Sequence, residues 1–116
     1  MKAILIDPFA QTVMEVEYDG DWQKISKIIG CQWFSTAGLR NGDTIYVDDE
    51  GMFAGETAFF RHNDYPQPLA GKGLILGTDD EGNSVEPKLG VSDHASRITF
   101  VMPVKVFGKV VWLPAS

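Results

Sequence analysis

Short apolar runs, each ended by turn-forming residues, constrain the fold of this chain more than any other feature. The run Lys2–Asp7 stops at Pro8, and the run Thr44–Val47 follows the dipeptide Asn41-Gly42. Runs of this length that are rich in β-branched residues are typical of short strands joined by tight turns. The sequence therefore predicts strands that pair mostly as antiparallel neighbours.

The same patterns predict most of the remaining chain. Strands are expected at Val13–Tyr18, Cys31–Thr36, Gly73–Gly77, Ser84–Glu86, Arg97–Met102 and Lys105–Leu113, with Met52-Phe53 as a short return. Glu56–Arg61 is predicted to form one helical turn, and Lys88–Ala95 is predicted to be a loop.

One principal helix is expected at about residues 20–29. Trp22, Ile25 and Ile29 recur at helical spacing, which predicts that Trp22 packs into the core. Asp19 is the predicted N-cap and Gly30 the left-handed stop. The predicted fold class is α+β: one domain, 1–116, built on a mainly antiparallel sheet, with C-terminal strands in 88–116.

The net negative charge comes entirely from the first half of the chain. The chain of 116 residues carries a net charge of -6, and residues 1–58 hold four cations and ten acids, whereas residues 59–116 hold six of each. This balance argues against direct binding to a nucleic-acid backbone and against binding to an anionic membrane. No signal peptide or membrane-spanning run is recognised, so a cytoplasmic location in a bacterial host cell is expected.

The acids define a candidate interaction face. Its predicted members are Glu15, Glu17, Asp19, Asp48, Asp49 and Glu50. Ordinary solvated surface is the competing interpretation. Asp-Asp-Glu-Gly occurs twice, from Asp48 and from Asp79, but neither copy has the ligand spacing of a calcium loop, so both are predicted to be turns.

No catalytic or metal-binding signature is found. The single cysteine excludes an internal disulfide and a multi-cysteine zinc site. His62 and His94 lack the context of a hydrolytic triad or a metal motif, and such lone histidines are expected on the surface or at caps. The protein is therefore predicted not to be an enzyme and to use no cofactor or metal.

Two further binding features are predicted. Arg61, His62, Tyr65 and Lys72 combine adaptable polar and aromatic groups and form a candidate site for a small, nucleotide-like ligand. The apolar stretch Val104–Leu113 would leave a sticky edge if it were unpaired, which predicts a homodimer closed through that edge.

The order of the motifs resembles a known family. The motifs are the Ile-Leu-Ile-Asp-Pro and Val-x-Glu-Val strands, the helix end at Ile29-Gly30, Asn41–Met52, Pro68–Gly77 and the turn Asp79–Asn83. Together, over about Met1–Glu86, they resemble the domain of unknown function 3846 family of bacteriophage and mobile-element proteins. The resemblance implies an accessory protein made inside a bacterium and supplies no catalytic residues. Members often carry an asparagine where this chain has the segment Ala54–Thr57.

Three functions remain open on the sequence. The favoured one is a non-enzymatic binding protein that docks on a host macromolecule. The alternatives are a protein that binds or sequesters a small ligand and an acidic mimic of DNA. The last requires that the acids of residues 1–58 share one continuous face.

Overall fold

The computed structural model describes residues 1–50 and 57–115. Its strands are β1 (Lys2–Asp7), β2 (Thr12–Glu17), β3 (Phe34–Gly38), β4 (Asp43–Asp48), β5 (Phe59–His62), β6 (Leu69–Ala70), β7 (Gly73–Thr78), β8 (Ser84–Val85), β9 (Ile98–Val106) and β10 (Lys109–Pro114). A 3-10 turn at Trp22–Lys24 leads into α1 (Ile25–Ile29), and α2 spans Val91–Ser96. No helix in these residues is long and apolar enough to cross a membrane.

The strands form two antiparallel sheets. The large sheet has the order β2-β1-β7-β4-β3, with β8 beside β7, and the small sheet has the order β10-β9-β5-β6. The predicted first hairpin is confirmed, since Lys2 lies opposite Glu17 and Asp7 opposite Thr12. The fold is therefore mainly β. Both helices are short, so neither is the one principal helix that the sequence predicts.

The large sheet is covered on both faces. Ile4, Ile45 and Ile75 face the small sheet, where they pack with the fully buried Phe60. On the opposite face, Leu74 and Leu76 form a second core with Ile25 of α1 and its neighbours. Because successive strand residues point to opposite faces, β7 is apolar from Gly73 to Gly77, as expected of a strand buried on both sides.

The predicted helix is only partly correct. Gly30 ends α1 with φ 72°, which confirms the left-handed stop. The N-cap is Asp21, whose carboxylate accepts from the backbone N–H of Gln23 at 3.0 Å, and not Asp19. Asp19 instead accepts from the Asp21 backbone and pairs with Lys24, because the chain is still in a turn there.

Two predictions of local structure were wrong. The part of Glu56–Arg61 that the structure describes is not helical, because Phe59–His62 forms β5 and pairs with β9. The segment Lys88–Ala95 is not a loop, since it contains most of α2. Met52-Phe53 and the segment compared with the family asparagine lie outside the described residues, apart from Thr57.

The C-terminal strands form a long hairpin. β9 and β10 pair from Val106 opposite Lys109 to Val101 opposite Pro114. Phe107 and Gly108 make the connection, with φ values of 51° and 79°. Two central residues with positive φ are the mark of a type I′ turn, whose twist suits a two-residue hairpin.

Candidate functional site

Three buried polar side chains join the two sheets and α2. Asp43 begins β4, His62 ends β5, and His94 lies in α2. His94 Nε2 is 2.9 Å from Asp43 Oδ2, and His62 Nε2 is 3.0 Å from His94 Nδ1. All three side chains are enclosed by the protein. They form what we call the His–His–Asp chain.

One arrangement of protons satisfies every bond in the His–His–Asp chain. The backbone N–H of Asp64 donates to His62 Nδ1 at 3.0 Å, so the ring proton of His62 is on Nε2. That proton is donated to His94 Nδ1, and the Nε2 proton of His94 is in turn donated to the Asp43 carboxylate. Both imidazoles are therefore neutral, with no ring nitrogen left over.

Burial sets the protonation of His62. Loss of solvent, together with the neighbouring His94, lowers the pKa of His62 from 6.5 to about 4. Asp43 also accepts from two backbone N–H groups, those of Lys88 at 2.8 Å and Leu89 at 3.3 Å. A buried carboxylate with three donors is fully satisfied, so this arrangement stabilises the fold.

The expectation that both histidines lie on the surface or at caps was wrong. Phe60 and His62 alternate along β5 with Arg61, so the same pattern that buries Phe60 also buries His62. Reading this segment as a strand would have revealed the inward position. The burial of His94 depends on α2, which no pattern in the sequence clearly predicts.

The four predicted ligand-contacting residues do not lie together. Arg61 and Tyr65 line one cleft of about 440 Å³ with Arg40, and His62 borders it with its ring enclosed. Lys72 lines a separate cavity beside Asp7 and Asp48. The cleft therefore brings together only part of the predicted set.

Two of the charged groups of the cleft, Asp64 and Arg40, form internal hydrogen bonds. Asp64 accepts from Asn41 Nδ2 at 3.0 Å and from Arg97 Nη1 at 2.9 Å. Burial acts to raise the pKa of Asp64, but the Asn41 hydrogen bond and the Arg97 charge leave it below its ordinary value. Arg40 donates to the backbone carbonyl of Asn63.

The six predicted face acids fall into two groups. Glu15 and Glu17 are on β2, which β1 and β7 separate from β4 by roughly 14 Å at the usual strand spacing. Glu15 lies opposite Ile4 and shares its face, towards the small sheet, whereas Asp48 follows the buried Val47 and points to the opposite face.

Ion pairs further divide these acids. Glu17 lies 3.5 Å from the terminal ammonium of Met1, and Asp19 pairs with Lys24, which lowers the pKa of Asp19 through the hydrogen bond. Asp49 and Glu50 follow Asp48 at the far end of β4. These six acids, all within the part of the chain that the structure describes, therefore do not share the single continuous face that DNA mimicry requires.

The C-terminal hairpin exposes one apolar face. Alternate residues of β9 share a face. The face of the small sheet that carries Phe60 and Phe100 therefore continues along the hairpin. Beyond Phe100 this face is apolar and largely exposed. Its members are Met102, Val104, Val106, Val111 and Leu113, and Lys109 is the one charged side chain. At the tip, the side chain of Phe107 is fully exposed.

Two tryptophans border a groove near α1. Trp22 and Trp33 are 62% and 63% exposed, and they line a groove of about 370 Å³ with Phe34 and neighbouring polar side chains. The prediction that Trp22 packs into the core was wrong. Because the chain forms a 3-10 turn there instead of a longer α-helix, Trp22 does not share the buried stripe of Ile25 and Ile29.

Comparison with known sequences places the chain. The family model of a domain of unknown function, DUF3846, matches residues 1–93. The chain belongs to this family. The match extends the resemblance from about residue 86 into α2, and it stops before the C-terminal hairpin of this DUF3846 member.

Two curated relatives are similar. The uncharacterized protein y4iR of Sinorhizobium fredii (strain NBRC 101917 / NGR234) is 31% identical over 104 residues, covering 88% of this chain and 65% of the relative. Protein PsiB of Rhizobium leguminosarum bv. phaseoli is 30% identical over 80 residues, covering 69% of this chain and 60% of the relative. The DUF3846 chain thus spans less than two thirds of these relatives. No solved structure matches it.

Proposed function

We propose that this protein is a non-enzymatic binding protein, of phage or mobile-element origin, that docks on a host protein through its C-terminal hairpin. The observation that carries the proposal is the apolar face that continues the core-facing side of the small sheet into solvent. Contiguous exposed apolar surface of this kind marks interaction sites in soluble proteins. The whole molecule measures 47 × 28 × 24 Å, an elongated shape that favours engagement by a projecting element.

The charges of the hairpin indicate the chemistry of the partner. Lys105 and Lys109 flank the tip, and no acid follows Asp93 in the sequence. The rest of the chain is strongly acidic. A partner that has an apolar groove bordered by carboxylates fits the hairpin and is repelled by the acidic rest of the chain. Electrostatics would therefore orient the two proteins as they meet.

The conformation of the tip supports the same role. A non-glycine residue in the left-handed region costs about 1 kcal/mol, and Asn is preferred at the first position of a type I′ turn. Phe107 occupies that position with a fully exposed ring. The backbone strain at this exposed aromatic residue favours a contact with a partner that compensates for the strain.

A non-catalytic role is supported by the interior of the protein. Histidine is the side chain best suited to proton transfer at neutral pH. Both histidines are enclosed, with their ring nitrogens bonded inside the His–His–Asp chain. Neither is arranged to reach a substrate.

The test compares proteins captured from bacterial lysate by wild-type bait and by hairpin variants. Phe107→Asn should abolish capture of the specific partner, and Met102→Ser should weaken it. Phe9→Asn is the matched control, because Phe9 is also aromatic and 60% exposed but lies in the β1–β2 turn. The captured partner must then bind the purified protein with the same variant ranking. Identical capture by wild type and Phe107→Asn would refute the proposal.

A second copy of the chain is the competing occupant. β10 is hydrogen-bonded only to β9 among the described residues, so its outer edge can add a strand. Light scattering of the purified protein separates the two outcomes. A dimer that Phe107→Asn or Met102→Ser converts to a monomer would assign the face to self-association instead of a host protein.

Small-ligand binding is retained as a second candidate function. The supporting observation is that Arg61 and Tyr65 line one cleft with Arg40, which suits an anionic, aromatic, nucleotide-like ligand. A ligand present at 100 times its Kd should stabilise the fold by about 2.7 kcal/mol. Denaturation with a nucleotide panel tests this, with Arg61→Gln expected to remove the shift. No stabilisation by any compound would eliminate the candidate.

A further inference from the structure

The groove between Trp22 and Trp33 has the features of a prepared binding site on a surface separate from the hairpin. Three aromatic side chains line the groove. The third is Phe34, whose ring centroid lies 6.4 Å from that of Trp22 in an edge arrangement. Both indoles are mostly exposed. Exposed tryptophan is otherwise unfavourable, because burial of such a side chain would stabilise the fold.

Local hydrogen bonds order the backbone at both tryptophans. Asp21 caps the 3-10 turn that begins at Trp22, by accepting from the backbone of Gln23. The carbonyl of Trp33 accepts from the backbone N–H of Asp49 at 2.9 Å. The backbone that carries each indole is thus ordered before any ligand arrives, which lowers the entropic cost of binding.

The polar lining of the groove is neutral. It consists of Gln23, Ser26 and Gln32, with no ionisable side chain among the lining residues. The three other described cavities are each lined by several charged side chains. An uncharged ligand is therefore the one that this groove matches.

The hydrogen-bonding capacity of the groove favours donors. Trp22 and Trp33 each offer an indole N–H that can only donate, and the two glutamine amides and the serine hydroxyl add further donors. A proline-rich segment in the polyproline II conformation presents unpaired carbonyls, and proline has no N–H of its own. Its pre-ordered backbone and apolar rings dock into aromatic-lined grooves.

We propose that the Trp22–Trp33 groove binds an uncharged, proline-rich peptide segment in the polyproline II conformation. The proposal goes beyond docking through the hairpin and does not depend on it. Nucleic acid is a poorer match, because the chain carries a net charge of -6 and the groove has no cation for a phosphate.

The test follows the indole N–H signals in two-dimensional ¹H–¹⁵N spectra. The chain has three tryptophans, so a single Trp→Phe variant for each assigns all three signals. Titration with acetylated, amidated octaproline should shift the signals of Trp22 and Trp33 and leave that of Trp112, in the hairpin, unchanged. A glycine-serine peptide of the same length should shift none.

Affinity measurements then compare variants. Trp22→Ala and Trp33→Ala should each weaken octaproline binding about tenfold or more, as expected of central aromatic anchors. Trp112→Phe and Phe107→Asn should leave it unchanged, which separates this proposal from the hairpin proposal. If octaproline leaves both groove signals in place, the proposal is overturned. If a neutral oligosaccharide moves those signals and octaproline does not, the groove is a saccharide site and the proposal is likewise refuted.

Discussion

Acidification should destabilise this protein through His62. The folded protein holds the pKa of His62 at about 4, against 6.5 in an unfolded chain, because burial and the neighbouring His94 disfavour the charged ring. Below pH 6.5 the unfolded state takes up a proton that the folded state cannot accept. The free energy of unfolding therefore falls as the pH decreases from 6.5 towards 4 and levels off below that.

The magnitude follows from the two pKa values. One pKa unit corresponds to 1.36 kcal/mol, so the whole difference between 6.5 and about 4 amounts to about 3 kcal/mol. About 2 kcal/mol of this should be lost between pH 7 and pH 5. The groups that face His62 are included in this pKa: His94, Asp43, Asp64 and Arg97.

Urea unfolding followed by far-ultraviolet circular dichroism measures this effect. The window from pH 7 to pH 5 isolates the histidines, because carboxylates with ordinary or lowered pKa stay ionised there. His62→Gln keeps an N–H that can donate to His94 and removes the titrating ring. Its unfolding free energy should depend less on pH than that of the wild type by about 2 kcal/mol over the window.

Two results would contradict this reasoning. If the unfolding free energy of the wild type is constant between pH 7 and pH 5, His62 accepts a proton in the folded protein. If His62→Gln keeps the full pH dependence, the slope belongs to another group. The comparison uses the slopes, so any constant loss of stability in the variant does not affect it.

Three further substitutions have expected effects on the free energy of unfolding, measured in urea at pH 7. Asp43→Asn replaces one acceptor oxygen with a donor among buried donors and should lower the free energy of unfolding by about 2–4 kcal/mol. Asp80→Asn, in an exposed turn, is the control and should change it by no more than about 0.5 kcal/mol. Gly77→Ala places a methyl group against a backbone carbonyl and should lower the free energy of unfolding by about 1–3 kcal/mol. Gly38→Ala, in open space, is its control and should leave that free energy nearly unchanged. Phe107→Asn should stabilise the hairpin by about 1 kcal/mol, and a loss of stability would mean that the tip is not strained.

Much of the large sheet follows from the sequence, because its determinants are local. Lys2–Asp7 is predicted with the observed bounds, since its apolar centre contains the β-branched residues Ile4 and Ile6 and a proline follows it. The strand predicted at Gly73–Gly77 needs only one more residue, Thr78. The left-handed stop at Gly30 is equally local, because only the residue type that tolerates positive φ can end the helix in that way.

The parts that were missed depend on contacts between distant segments. The strand at Phe59–His62 has too few residues for a periodicity to be recognised, and its pairing with β9 determines its conformation. The helix at Val91–Ser96 lacks a side-chain cap, and the bond from His94 to Asp43 ties it to residues about fifty positions away. The sequence predicts no role for Asp43, because nothing in the sequence around either histidine indicates which carboxylate it contacts.

The exposed aromatic residues argue for binding more strongly than the charge does. The two cores are filled by aliphatic side chains together with Phe60 and Tyr18, whereas Trp22, Trp33 and Phe107 stay outside them. Complete burial of a side chain of this size stabilises a fold by about 2 kcal/mol or more, which these positions forgo. The backbone at each position instead lies in a tight turn or accepts a backbone hydrogen bond. We expect these aromatic side chains to gain favourable contacts when a partner covers them, which supports the two binding proposals over an explanation from stability alone.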